Sequence, residues 1–284
     1  VTLSSLHTHS RFCDGHGELE EYVVAARDAG LAYYGASGHA PLPFACDYAI
    51  PLANLDLYVA EVRRLQAAYR GRVPVLLGLE LDYLPGLTDF YARELFSRGL
   101  EYVVASVHYV GEPGVAPWVY DESEERFAAE IQQRHGGNAR PAIEDYFRRI
   151  VRMVGEAADW PVPVIVGHLD RISIWNRGEK YFAVESDWYQ AAVDAALDAI
   201  AESRCVLELN ASGWNKTNET CNPSPAILRR AAARGIPVIV SADAHRPQNV
   251  NQHYDRALGV LREAGFQSLV YPIEGGWEST RLAE

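Results

Sequence analysis

Seven short apolar runs divide this chain, and each is followed by a longer segment of helical period. The runs read as strands at about 3–7, 33–37, 74–80, 101–107, 163–168, 205–210 and 237–242. The segments 18–30, 52–70, 88–98, 142–158, 186–203, 225–234 and 253–264 read as helices. Gly30, Gly71, Gly99 and Gly235 stand where those helices should stop. Ser224-Pro225 reads as an N-cap followed by proline at the first helical position. Strands that are apolar on both faces and alternate with helices predict a parallel sheet covered by helices. Closed on itself, this is a distorted (βα)7 TIM-like barrel of the α/β class, with its site at the C-terminal ends of the strands. An open, doubly wound sheet is the competing architecture, but no glycine-rich phosphate loop follows the first strand. The chain has 284 residues and is 48% hydrophobic, so one domain over 1–284 is expected.

Seven of the nine histidines lie where a strand stops or a loop has just begun: His7, His9, His16, His39, His108, His168 and His245. In extended backbone, residues two apart point to the same side. His7 and His9 can therefore present two imidazoles to one point, and imidazole is the commonest protein ligand for zinc-like metals. Glu80 ends the apolar run Val75–Leu79, where an isolated carboxylate is costly without a positive partner. A carboxylate can bridge two cations through its two oxygens, and Glu80 is the candidate bridge. Asp243 and His245, again two apart, could serve one or two metals. Glu208, Asn210, Asp82 and Asp170 read as groups that orient ligands, touch substrate or make structural hydrogen bonds. His135 and His253 show no such placement and read as ordinary structural histidines. Taken together, the strand ends predict a metal centre assembled from the whole length of the chain.

The formal net charge is −12 and no basic run exceeds two residues, which argues against nucleic acid as a partner. A small phosphorylated metabolite remains compatible, because bound divalent cations invert the local field. No apolar run reaches membrane-spanning length, and nothing near the N-terminus reads as a signal peptide, so a soluble, cytoplasmic protein is expected. Cys13, Cys46, Cys205 and Cys221 are expected to be reduced thiols. Cys13 lies three residues before His16 inside the histidine-rich loop and reads either as part of that loop's chemistry or as a small buried thiol. The least regular stretch is 111–140, with Pro113, Pro117, an acidic run over 121–125 and Gly136-Gly137. It reads as a lid over the site or as a mobile surface excursion.

The ordered motifs resemble the polymerase and histidinol phosphatase (PHP) superfamily, and most closely its monofunctional histidinol-phosphatase branch. The residues that carry the resemblance are His7-Thr8-His9, Cys13-Asp14-Gly15-His16, the run from Gly38-His39 to Pro43, Gly78–Tyr83, Ser106–Tyr109, Gly167–Asp170, Asn210–Gly213 and Ser241–Pro247. The resemblance implies three divalent metal ions, zinc, iron or manganese. It implies that His7, His9, Glu80 and Asp243 hold the first, that Glu80, His108 and His168 hold the second, and that His16, His39 and His245 hold the third. There are departures. Gly38 stands where relatives usually have Asp or Glu, Ala211 stands where Thr is usual, and Lys216 comes later than the usual basic residue after Asn-x-Ser-Gly.

The activity so implied is metal-dependent hydrolysis of a phosphate monoester, L-histidinol phosphate first of all, by a hydroxide held between two metals. Glu80, Asp243 and His245 are the residues expected at the chemistry. Arg171, Arg177, Lys216 and Arg246 are the cationic candidates for binding phosphate. Asp14, Glu208, Trp175 and Trp214 are candidates for the ammonium and imidazole of such a substrate. The competing readings are a phosphoesterase for another phosphomonoester, a phosphodiester or a nucleotide, and a non-catalytic, metal-binding regulatory protein.

Overall fold

The structure, a computed structural model, describes residues 1–111 and 116–282. Along the chain, β1 (Ser4–Ser5) leads to α1 (Leu19–Asp28), β2 (Tyr33–Ala36), α2 (Leu55–Ala68), β3 (Val75–Asp82), α3 (Thr88–Phe90) and β4 (Tyr102–Ser106). A small hairpin, β5 (Tyr109–Val110) and β6 (Trp118–Val119), precedes α4 (Glu124–His135) and α5 (Arg140–Ala157). Then come β7 (Val164–Val166), α6 (Asp187–Ala201), β8 (Val206–Asn210), α7 (Pro225–Ala233), β9 (Val238–Ser241) and α8 (Tyr254–Ala264). A second hairpin, β10 (Ser268–Ile273) and β11 (Gly276–Arg281), follows. Among the described residues no helix is long and apolar enough to cross a membrane.

Seven strands form one parallel sheet in the order β1-β2-β3-β4-β7-β8-β9. A parallel bridge between Thr8 and Ala244 joins its two edges, with His9 N–H donating to Ala244 O at 2.9 Å and Ala244 N–H to His7 O at 3.1 Å. The sheet is therefore a nearly closed, distorted seven-stranded barrel, and the seam lies within the histidine motifs. Strand alternation sorts the side chains. On β3, Leu77, Leu79 and Leu81 pack outward into the helix-covered core, while Glu80 and Asp82 turn to the other face, where His7 and His108 meet them. Leu6, Tyr102, Val104, Ile165, Val206 and Ile239 fill the lower lumen, and Val270 of β10 and Trp277 of β11 pack against them. Apolar packing at the bottom thus supports a polar layer at the top.

Tyr102 needs unusual room inside this lumen. Its hydroxyl donates to Leu6 O at 2.8 Å and reaches Ala36 O at 3.2 Å. A Cβ at position 78 would stand 2.4 Å from its ring, so only glycine fits on the facing strand.

Three expectations are corrected. The first strand is regular only over Ser4–Ser5. Leu6 joins the lumen cluster and the next residue, His7, meets Glu80, so alternation breaks at that point. The segment 88–98 is α3 followed by a π-turn (Tyr91–Leu95) and a 3₁₀ turn (Phe96–Arg98). Its ladder is re-spaced where Tyr91 is pinned, since the Tyr91 hydroxyl donates to Asp82 O and accepts from Leu84 N–H, both at 2.9 Å. Over its described part the stretch 111–140 is not irregular. It holds β6 and α4, capped by Ser123, which accepts from Arg126 N–H, and by Gly136 at φ 59°. Its acidic run supplies Glu124 and Glu125 to the first turn, where they oppose the helix dipole. Residues 112–115, including Pro113, lie outside the described residues. The hairpin β10–β11 had no counterpart among the expected elements.

Candidate metal centre

The C-terminal ends of all seven barrel strands deliver polar side chains to one mouth. Glu80 stands at its middle, 1% exposed. Its Oε2 faces His39 Nδ1 at 3.0 Å, His7 Nε2 at 3.2 Å and His9 Nε2 at 3.4 Å. Its Oε1 faces His168 Nε2 at 3.2 Å and His108 Nε2 at 3.7 Å, and accepts from Ser106 Oγ at 2.7 Å. The two oxygens of one carboxylate thus address two separate groups of imidazoles. Asp243 Oδ1 lies 3.2 Å from His9 Nε2 and 3.7 Å from His7 Nε2.

Outer contacts aim these groups. Glu208 Oε1 holds His7 Nδ1 at 2.6 Å, and its Oε2 accepts from His168 N–H at 2.7 Å. Asp82 holds His108 Nδ1 and accepts from the Tyr48 hydroxyl. Asn210 Nδ2 and Ser212 Oγ donate to Asp243 Oδ2 at 3.2 and 3.0 Å. His168 and Asp243 have φ of 23° and 46°, a strained backbone for these residue types. Strain of this kind persists where neighbours over-determine it, as the bonds to Glu208, Asn210 and Ser212 do here. Asp170 does not serve the centre. It accepts from Asn222 Nδ2 and Ser224 N–H and ties down the loop before α7.

The donor set fits divalent cations. His7 Nε2, His9 Nε2, His39 Nδ1 and Glu80 Oε2 are buried, mutually close and without a hydrogen-bond partner. Four orphaned polar atoms at one point are costly unless something binds them. Burial alone would raise the Glu80 and Asp243 carboxyls, but the His7 imidazole, aided by His39 at Glu80 and by His9 and His245 at Asp243, holds both well below their ordinary values. Burial, together with His245 and His39, lowers His9 to about 4, so its imidazole is neutral, whereas the carboxylates beside them outweigh burial and raise His7 and His108. Among the described residues, three groups have ligand atoms close enough to share an ion: His9, Asp14, His39 and His245; His7, His9 and Asp243; and His39, Glu80 and His108.

Among the expected ligands, His16 stands apart. It is exposed, and its backbone is pinned, with its N–H donating to His245 O at 2.8 Å and its carbonyl accepting from Tyr22 Oη at 2.7 Å. Asp14 takes the place expected of it. Asp14 Oδ2 lies 3.2 Å from His245 Nε2 and 3.8 Å from His39 Nε2, and Oδ1 lies 3.6 Å from His9 Nδ1. A turn aims it inward, with Cys13 and Gly15 N–H both donating to Ser10 O. A Cβ at position 15 would stand 2.1 Å from His9 O, so the turn requires glycine there. Nothing in the spacing of the motif distinguishes Asp14 from His16 as the inward group. Cys13, pushed up to about 12 by burial, is a neutral thiol packed beside this turn.

The centre opens into a cleft of about 870 Å³ lined by Tyr48, Trp118, Asp121, Arg171, Lys216 and the ligand groups, among others. Of the four cationic candidates, Arg171 and Lys216 line it. Arg177 does not, being 62% exposed and paired with Glu219, and Arg246 is exposed outside it. Lys216 has no ion-pair partner among the described residues, and burial and the Arg171 charge lower its pKa. Of the other suggested substrate contacts, Glu208 is committed to His7, Trp214 packs under Arg256, and Trp175 Nε1–H donates to Tyr120 O. Asp121, unmarked in the sequence, accepts from Arg171 Nε at 2.7 Å.

Barrel and mouth together define a metal-binding protein of the hydrolase-barrel type. The PHP domain profile matches residues 5–212, and the chain belongs to the PHP domain family. It is 33% identical over 273 residues to a probable histidinol-phosphatase of Deinococcus radiodurans, covering 95% of this chain and 96% of that one. It is 28% identical over 265 residues to the histidinol-phosphatase of Bacillus subtilis, covering 89% and 97%. A Lactococcus lactis histidinol phosphate phosphatase, crystallised with zinc, L-histidinol and phosphate, shares the fold. That comparison has a TM-score of 0.73 and 19% identity, and covers 98% of this chain and 99% of that one.

Proposed function

We propose that this chain hydrolyses L-histidinol phosphate to L-histidinol and phosphate, as one catalytic domain over 1–284. The observation that carries the reading is the convergence of orphaned imidazole and carboxylate atoms on Glu80, beside Arg171 and Lys216, which line the same cleft. The full-length relatives named as histidinol-phosphatases support the substrate.

In this proposal His7, His9, Glu80 and Asp243 would hold one cation, and Glu80, His108 and His168 would hold a second. Asp14, His39 and His245 would hold a third, Asp14 in place of His16. Imidazole-rich ligation suits zinc, iron or manganese better than magnesium alone. Such cations supply Lewis-acid charge stabilisation and bring the pKa of a bound water toward about 7. The chain's own groups do the rest. Glu80 fixes the spacing of the cation sites, Arg171 and Lys216 draw the phosphoryl oxygens into the mouth, and Asp82 and Glu208 keep the imidazoles aimed. The four cysteines are free, which suits a reducing compartment, and we place the protein in the cytoplasm.

The test is purification without chelator, elemental analysis and a phosphate-release screen on one sample. Histidinol phosphate should turn over well ahead of nucleoside monophosphates and short single strands. Preference for a nucleotide would reassign the substrate, and full metal occupancy without any turnover would make the chain a binding protein.

A further inference from the structure

We propose that Asp121 is a positioning residue for the phosphoryl group, acting through Arg171. The inference rests on the phosphatase reading above. Arg171 stands in the loop after β7, and its Nε–H donates to Asp121 Oδ2 at 2.7 Å. Its Nη1 lies 3.7 Å from Asp243 Oδ2. The Arg171 and Asp121 side chains are only 13% and 10% exposed, and both line the cleft. A guanidinium held by its Nε keeps its Nη edge for two oxygens of one phosphoryl group, the bidentate geometry that arginine offers.

Asp121 comes from a different part of the chain, the short segment between β6 and α4. A second bond ties the same two segments, with Trp175 Nε1–H donating to Tyr120 O at 2.9 Å. Tyr120 is fixed in turn, since its hydroxyl donates to Val107 O at 2.9 Å and its N–H to His108 O at 3.3 Å. Tyr120 with Trp175, and Asp121 with Arg171, make a two-point clamp between the cleft wall and the cation-bearing loop.

The clamp also settles a competition. Two carboxylates flank Arg171, and the shorter contact is to Asp121. Without Asp121, Arg171 is free to close on Asp243, which spends the cation on a candidate metal ligand and withdraws it from the cleft. Burial would raise the Asp121 carboxyl, but Arg171 and His108 hold it below its ordinary value, so it stays charged. Asp121 has no hydrogen bond or ion pair to a candidate metal ligand among the described residues, and the Asp243 oxygen on which Arg171 would close is Oδ2, not the Oδ1 that faces His7 and His9, so the centre stays filled.

The experiment uses the full zinc-loaded chain with inorganic phosphate as probe, read by calorimetric titration and by inhibition of turnover. Asp121→Asn should weaken phosphate about ten- to a hundredfold and raise KM alike, with zinc content retained and a lower thermal midpoint from the broken pair. Asp121→Glu should recover part of the affinity. Trp175→Phe, which removes no charge, should weaken phosphate severalfold in the same direction. Calorimetry keeps the two readings apart, because it reports phosphate affinity without turnover. A parent chain with no phosphomonoesterase activity overturns the phosphatase reading. Phosphate affinity indifferent to Asp121→Asn and Trp175→Phe, or lost only in step with zinc, overturns this inference.

Discussion

Glu208 Oε1 lies 2.6 Å from His7 Nδ1, and this contact decides which face His7 presents to the centre. With Nδ1 engaged, Nε2 points at Glu80 and Asp243. Glu208 is fully buried and also meets Ser241 Oγ, Asn210 Nδ2 and the His168 N–H, so it braces three strand ends at once. Glu208→Gln keeps the shape and removes the charge. It should lower metal affinity or activity about ten- to a hundredfold, as loss of such outer partners does elsewhere. Zinc titration of the chelator-stripped variant checks this, and parental affinity would show that His7 needs no such brace.

Asp14 and His16 separate cleanly in the same assay. Asp14→Asn should lose part of the bound metal and most of the activity, because its carboxylate faces His9, His39 and His245. His16→Ala should keep both, since the His16 contacts described here run through its backbone. The reverse result would return His16 to the centre.

Gly78→Ala tests the lumen packing. The new methyl group would meet the Tyr102 ring, which also carries the bonds to Leu6 O and Ala36 O. Overpacking of this kind costs about 1–3 kcal/mol. Urea unfolding should show a lower midpoint at unchanged slope.

Glu156 makes the fold sensitive to acid away from the centre. Burial would raise its carboxyl, but Tyr83 Oη at 2.8 Å, Arg152 Nε at 2.9 Å and Thr88 Oγ1 at 3.0 Å donate to it and lower its pKa. A carboxyl depressed in the folded state adds stability above its unfolded pKa of about 4.3, and that stability is lost as pH falls through the folded value. Glu156→Gln should therefore cost about 1 kcal/mol at pH 7, where the exposed part of the site screens the charges, and progressively less below pH 4. Paired urea titrations across that range check the sign.

The barrel was legible because strand and helix periods alternate so regularly, and the imidazoles and carboxylates that meet at its mouth could be picked out because they recur where apolar runs stop. What sequence could not convey was direction. Asp14 turns inward through bonds to Ser10 O that leave no periodic mark. Arg171 and Lys216 face the cleft while Arg177 and Arg246 do not, although all four lie near ligand motifs. Helix α4 was hidden because only Phe127 and Ile131 are buried along it, too few to set a period. Asp121 lay inside an acidic run in which no residue stands out until Arg171, fifty residues on, arrives beside it.

The most direct test of the central claim is elemental analysis and histidinol phosphate turnover of folded Glu80→Ala, purified without chelator. Both should collapse together, because one carboxylate faces both groups of imidazoles. A well-folded Glu80→Ala protein that keeps its full metal complement and its turnover would contradict it.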